Sequence, residues 1–225
     1  MHGIKVPGRP KKFKGGVYSL QEINDILIAV ADVDRAAYAA IAVAAFAGLR
    51  LSEIRGLRWA DYDGSQLKVS RSVWRTHVGP TKTEESEAGV PVLPLLKKIL
   101  DKHRDAIKGR PNDYVFAGER RGGPLNLHNM VRRVIQPALV AFNAEMKRDV
   151  VWKGWHSFRR GLASLLYELG VKPKVIQAIL RHSDIGTTLQ FYVETPEAES
   201  RDALQQLEDG FTRSLEAKIV ASARK

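Results

Sequence analysis

The sequence predicts a mainly α (α+β) domain: helical, with a small antiparallel β-sheet on one edge. Three observations carry this. Apolar residues recur at helical spacing through most of the chain. One central stretch, from Gln66 to Leu93, reads instead as extended pieces joined by a polar loop. A hydrophobic fraction of 44% over 225 residues is enough to fill one good-sized core.

Ser19 and Glu22 have capping-box spacing, and Leu20, Ile23, Leu27 and Val30 follow at helical intervals, so the fold proper begins near Val17. A second helix carries Tyr38, Ile41, Ala45, Phe46 and Leu49 on its buried side and ends around Gly48. Ser52 and Glu53 start a short third helix, which leaves Arg50 in the turn between the two. Gln66 to Arg75 favours strand. After a polar loop holding Lys82, Val90 to Leu93 is extended again and leads into a helix near Pro94. Tyr114, Val115 and Phe116 precede a Gly122-Gly123-Pro124 turn, and Leu127 to Val140 resumes helical spacing with Pro137 as an interruption. Phe158, Leu162, Leu165, Leu166 and Leu169 form one amphipathic face, stopped by Gly170, and Pro173 starts the next helix. A last apolar stripe, Leu204, Leu207, Phe211, Leu215 and Ile219, is weakened as a single helix by Gly210.

Thirty-six Lys and Arg against 25 Asp and Glu give a net charge of +11, which makes a polyanion such as nucleic acid the leading partner. The absence of cysteine excludes disulfides, thiolate metal sites and thiol nucleophiles, and is compatible with a reducing, cytoplasmic, DNA-associated location. The longest apolar stretch, Ala36 to Leu49, falls short of the roughly 20 residues of a membrane span, so no membrane partner is expected. Residues 1–16 are basic and rich in Gly and Pro, unlike a secretory leader; they read as a linker or a DNA-touching arm bearing Lys11, Lys12 and Lys14.

A chain that breaks phosphodiesters needs a nucleophile, a leaving-group acid and charge stabilisation beyond its basic surface. Metal ligation is poorly supported: no H-E-x-x-H occurs and no carboxylate cluster has ligand spacing. His156 and Arg159 lie three apart in a helix's first turn, with Arg160 beside them. Cations there oppose the macrodipole by about 0.3–1 kcal/mol each, which suits a site awaiting an anion. Taken alone, so short a motif reads as a solvated basic end. Arg50, with Glu53 three residues on, reads equally as an oriented cation or a surface ion pair. Lys82, near Glu84, Glu85 and Glu87, reads by itself as a solvated charge. His182 opens a polar segment ten residues before Tyr192. Tyr192 is the one plausible covalent nucleophile, but taken by itself it reads as a core tyrosine on a buried face with Leu189 and Val193.

Together, A-G-L-R-L-S-E-I, T-K-T-E-E-S, H-S-F-R-R and L-R-H-S-D-I-G-T-T-L-Q-F-Y resemble, in order and spacing, the signatures of the tyrosine recombinase (phage integrase) catalytic domain. The resemblance spans residues 17–196, leaving 1–16 as an arm and 197–225 as a helical tail that packs in cis or onto a neighbouring protomer. It implies a site-specific DNA recombinase in which Tyr192 attacks a scissile phosphate, giving a 3′-phosphotyrosyl bond and a free 5′-hydroxyl with neither metal nor ATP. Arg50, Arg159 and His182 would hold the phosphoryl oxygens, Lys82 would protonate the leaving 5′-oxygen, His156 would assist the phenol and Glu53 would orient Arg50. Arg160 and Arg181 join the three N-terminal lysines as expected DNA contacts. The implied partners are double-stranded DNA and further copies of the chain, as a tetramer on DNA. The resemblance also implies an N-terminal core-binding domain, which is expected to be missing from this chain because the segment before residue 17 is too short to hold it. Arg181 stands where the family usually has glycine, Arg160 where histidine often follows the arginine, and Val193-Glu194 where histidine often trails the tyrosine. Two rivals share the charge pattern: type IB topoisomerase-like strand relaxation, and a DNA-binding module with an inactive site.

Overall fold

Helix α2 (Arg35–Phe46) is made almost wholly of alanine and small branched residues, and this composition sets its place at the centre of the core. Ala37 and every residue from Ala39 to Ala45 are buried, because short side chains let neighbours approach from all sides. The one-sided face expected from the sequence is therefore replaced by all-round burial, with Tyr38 and Phe46 only half-buried. The computed structural model describes residues 16–75, 77–80, 89–118, 122–182 and 186. Lys82, Tyr192, the three N-terminal lysines and the 197–225 tail lie outside them.

Helix α1 (Leu20–Ala31) begins with the expected capping box: Ser19 Oγ accepts from Glu22 N at 3.2 Å and Glu22 Oε2 accepts from Ser19 N at 2.9 Å. Asp34 caps α2 by accepting from Ala37 N at 2.7 Å. Helices α1, α4 (Pro94–Ile107) and α7 (Trp155–Glu168) pack around α2, α4 through buried Leu96, Ile99, Leu100 and His103.

The extended stretch forms two small ladders rather than one sheet. β1 (Gln66–Lys68) pairs antiparallel with β4 (Gly89–Pro91), setting buried Leu67 opposite buried Val90. β2 (Arg71–Trp74) pairs antiparallel with β3 (His77–Pro80), Val73 opposite Val78. The break falls at Val69-Ser70, where Ser70 Oγ and Arg71 Nη1 both turn to the Asp61 carboxylate. Helix α3 (Leu51–Gly56) lies on β2. Its Arg55 clasps the hairpin, donating from Nε to Leu125 O at 3.2 Å, from Nη1 to Val73 O at 3.2 Å and from Nη2 to Arg75 O at 2.8 Å.

Pro137 interrupts without breaking. Helix α5 (Leu127–Met130) passes through one π turn, Val131–Ile135, into α6 (Gln136–Met146). Widening the turn accommodates a ring that has no N–H and would crowd the carbonyl four residues earlier. On α7, Phe158 and Ala163 are buried, Leu162, Leu165 and Leu166 are half-buried, and Leu169, expected on the same face, is 79% exposed because the helix ends at Glu168. Gly161 lets the chain before α1 cross this helix: a Cβ there would sit 2.5 Å from Tyr18 O. The Tyr18 ring packs on Phe158 with centroids 4.4 Å apart. Helix α8 (Pro173–Leu180) completes the described fold.

Candidate active site

Three chain segments meet here: the α2–α3 turn, the first turns of α7 and the C-terminal end of α8. After α2 the chain turns through Gly48 at φ +59°, a conformation glycine adopts without strain, and Arg50 becomes the N-cap of α3. Glu53, in the first turn of α3, reaches back. Its Oε2 accepts from Arg50 N at 2.8 Å and its Oε1 from Arg50 Nη1 at 2.6 Å. The carboxylate thus satisfies an otherwise unmet helix N–H and fixes the guanidinium in the same step.

Arg159 comes from the second turn of α7 and is buried, 5% exposed. Its Nη1 donates to Gly48 O at 2.5 Å, its Nη2 to Leu180 O, and its Nε to His182 Nε2 at 3.2 Å. Arg50 Nη2 donates to the next carbonyl along, Arg181 O, at 3.3 Å. Two guanidinium groups are therefore mounted on consecutive carbonyls at the end of α8, where unpaired C=O groups and the negative pole of the helix attract cations. Each fork has five N–H donors. These contacts use three on Arg159, and on Arg50 they use two, one from each terminal nitrogen; the rest have no partner among the described residues. Arg50, with a side chain 31% exposed, is the more open of the two.

The electrostatics favour an anion. Among the described residues, Arg50 and Arg181 pair with one carboxylate, Glu53, whose field also reaches Arg159, so three guanidinium groups share one negative charge and two positive charges are left over. Burial, then Arg50 and Arg181, press the Arg159 guanidinium down to about 9 against the pull of Glu53, leaving it charged at pH 7. Burial, followed by Arg159, Arg50 and Arg181, pushes His182 down to about 4. It is neutral at pH 7, and acceptance of the Arg159 hydrogen bond through Nε2 assigns its ring proton to Nδ1. His156 stands in the first turn of α7. Although its side chain is exposed, desolvation and then Arg160, Arg159 and Arg50 lower its pKa, with Glu53 opposing, so it too is mainly neutral at pH 7.

Of the residues singled out from the sequence, Arg50, Glu53, Arg159 and His182 are joined here through hydrogen bonds, with His156 three residues before Arg159. Arg160 half emerges and donates from Nη1 to Gly16 O at 3.1 Å, beside the entry of the N-terminal segment. Arg181, expected as a DNA contact, is instead buried. It caps α8 at φ +53°, is 3% exposed, and its Nη2 donates to Glu53 Oε2 at 2.8 Å. The left-handed turn directs this side chain inward, where Glu53 receives it. Two contributors escaped the sequence reading, the carbonyls of Gly48 and Leu180. Only the Ala47-Gly48 helix ending hinted at the first. Among the described residues no cluster of three or more His, Asp or Glu could hold a metal ion, and the donors gathered here suit an oxyanion.

Fold and site together define a mostly helical domain in which two arginines converge on consecutive carbonyls at the end of α8. Residues 18–199 match the phage integrase family, and the chain belongs to that family. It is 28% identical over 117 residues to a tyrosine recombinase of Thermosipho africanus (strain TCF52B), covering 52% of this chain and 36% of the relative. It is 25% identical over 177 residues to a XerC-like tyrosine recombinase of Caldanaerobacter subterraneus subsp. tengcongensis, covering 67% of this chain and 43% of the relative. The chain thus spans less than half the length of these relatives. In structure it is similar to the Tn1549 transposon integrase in complex with transposon right-end DNA, with a TM-score of 0.72 at 20% identity over 91% of this chain and 69% of that one. It is also similar to the XerA recombinase, with a TM-score of 0.62 at 22% identity over 89% of this chain and 66% of that one. These likenesses establish the fold as that of a tyrosine recombinase catalytic domain. No described helix is long and apolar enough to cross a membrane.

Proposed function

We propose that this chain is the catalytic part of a site-specific DNA recombinase that cleaves and rejoins strands through a phosphotyrosyl intermediate at Tyr192. The observation that supports it most is the mounting of Arg50 and Arg159 on consecutive carbonyls, with two positive charges left for an anion to neutralise. A scissile phosphate between these forks would be polarised by donors already in place, so little reorganisation accompanies charge build-up in the transition state.

In the proposed step the Tyr192 oxygen forms a bond to phosphorus as the bond from phosphorus to the 5′-oxygen breaks. The phenolic proton passes to His156, which is neutral and close to the forks, and the Lys82 ammonium gives a proton to the departing oxygen. The products are a 3′-phosphotyrosyl link and a free 5′-hydroxyl, and attack by a 5′-hydroxyl from another strand reverses the chemistry. His182 aligns Arg159 and is a further donor to the phosphoryl group. Glu53 holds Arg50. The +11 charge supports duplex DNA as substrate, and exchange between two duplexes calls for a homotetramer on DNA.

Incubation with a nicked duplex that traps the intermediate, followed by denaturing electrophoresis, tests this reading. The intact protein should give a covalent protein–DNA band and Tyr192→Phe none. A band that persists in Tyr192→Phe sinks the nucleophile assignment, and no band from the intact protein leaves a binding module.

A further inference from the structure

We propose that Arg181 is a positioning residue for Arg50, acting through Glu53. The two arginines share one carboxylate. Arg181 Nη2 donates to Glu53 Oε2 at 2.8 Å, the oxygen that also accepts from Arg50 N at 2.8 Å, while Glu53 Oε1 takes Arg50 Nη1 at 2.6 Å. The Arg181 carbonyl in turn accepts from Arg50 Nη2 at 3.3 Å. Arg50, Glu53 and Arg181 therefore close a ring: the carboxylate grips Arg50, and Arg181 grips the carboxylate with its side chain and Arg50 with its backbone. Apart from Arg50 itself, no other side chain among the described residues donates to Glu53.

Two features argue that this contact is why an arginine stands here. Its backbone is left-handed, φ +53°, a conformation an L side chain adopts against preference. Its Nε and Nη1 are buried without a hydrogen-bond partner among the described residues, although the side chain is 2% exposed. A buried cation with unmet donors in a strained turn is unfavourable by itself. The bond it makes to Glu53, and the ring that bond completes, supply the compensation.

The inference rests on the catalytic reading above, and the test separates the two. Single-turnover formation of the covalent adduct on nicked duplex DNA, DNA affinity and thermal melting are compared for the wild type, Arg181→Met, Arg181→Lys and Arg181→Gly. Arg181→Gly suits the left-handed turn and covers the case in which Arg181→Met fails to fold. Arg181→Met and Arg181→Gly should slow adduct formation by about tenfold with affinity changed by less than about twofold, and Arg181→Lys should recover part of the loss. In a Glu53→Gln background Arg181→Met should add no further slowing, because the pathway through the carboxylate is already cut. Unchanged rates, a rate loss that merely tracks affinity, or additive slowing beside Glu53→Gln would overturn the proposal. Side-chain ¹⁵N NMR supplies a readout that needs no cleavage: rotation about the Arg50 guanidinium bonds should be slow in the wild type and faster in Arg181→Met and Arg181→Gly. Unaltered rotation overturns the bracing, whereas absence of adduct in the wild type overturns only the catalytic reading.

Discussion

Arg55 and Arg159 satisfy their forks in nearly the same way and serve different ends. Each uses three nitrogens. Arg55 donates to the carbonyls of Leu125, Val73 and Arg75 and clasps the β2–β3 hairpin. Arg159 donates to the carbonyls of Gly48 and Leu180 and to His182 and joins the ends of α2 and α8. The difference lies in the charges around them. Burial is the one cause that lowers the Arg55 pKa, whereas Arg159 is also crowded by Arg50 and Arg181. Anchoring to carbonyls is common to both arginines; what sets Arg159 apart is crowding by like charges, which favours an anion beside it.

The comparison can be broken most directly by exchanging both arginines for lysine, which keeps the charge and loses the fork. Arg159→Lys should slow single-turnover cleavage by about 10²–10³, equivalent to about 2.7–4 kcal/mol of transition-state stabilisation, with DNA affinity much less affected. A cleavage rate near wild type would remove Arg159 from the chemistry. Gly48→Ala comes next. A side chain at φ +59° is strained, and its Cβ would lie 3.0 Å from both Leu162 Cδ2 and Leu180 Cδ2. Chemical denaturation should register a loss of about 1–3 kcal/mol. Cleavage should slow as well, since the Gly48 carbonyl anchors Arg159. Arg55→Lys should cost about 1 kcal/mol by the same measurement as its carbonyl bonds are lost, yet leave cleavage by the folded protein within about threefold of wild type. Equal kinetic defects in the two lysine variants would erase the distinction drawn here.

The gentlest probe is pH. The folded-state pKa of His182 is about 4 against an ordinary 6.5, so the unfolded chain takes up the proton first. The stability this imidazole contributes is complete above 6.5 and is lost as pH falls toward 4. His156 is shifted in the same direction. The melting temperature should therefore drop between pH 7 and pH 4.5, by about a few degrees for His182, and His182→Asn should flatten part of that slope. An unchanged slope would mean that His182 does not titrate against the arginine cluster.

Much of the frame was legible because it is written in local chemistry. The Ser19–Glu22 box and the Arg50–Glu53 pair both rest on residues three apart, and both are present. What escaped depends on parts of the chain far apart in sequence. Gly161 is explained only once Tyr18 lies across it. The buried place of Arg181 requires Glu53, 128 residues earlier. Alternation from Gln66 to Arg75 announces extended backbone but cannot reveal that Asp61 draws Ser70 and Arg71 aside and divides the strands into two ladders. Pro137 signalled an interruption, and the helix absorbs it as a single widened turn.

Because one guanidinium links the turn after α2, α7 and the end of α8, Arg159 carries a structural constraint beside the catalytic one proposed above. A descendant that had lost its reactive phenol would still be under pressure to keep this arginine simply to remain assembled. Preservation of Arg159 in a distant homologue is thus a record of architecture first, and evidence of a working enzyme only when the nucleophile survives beside it.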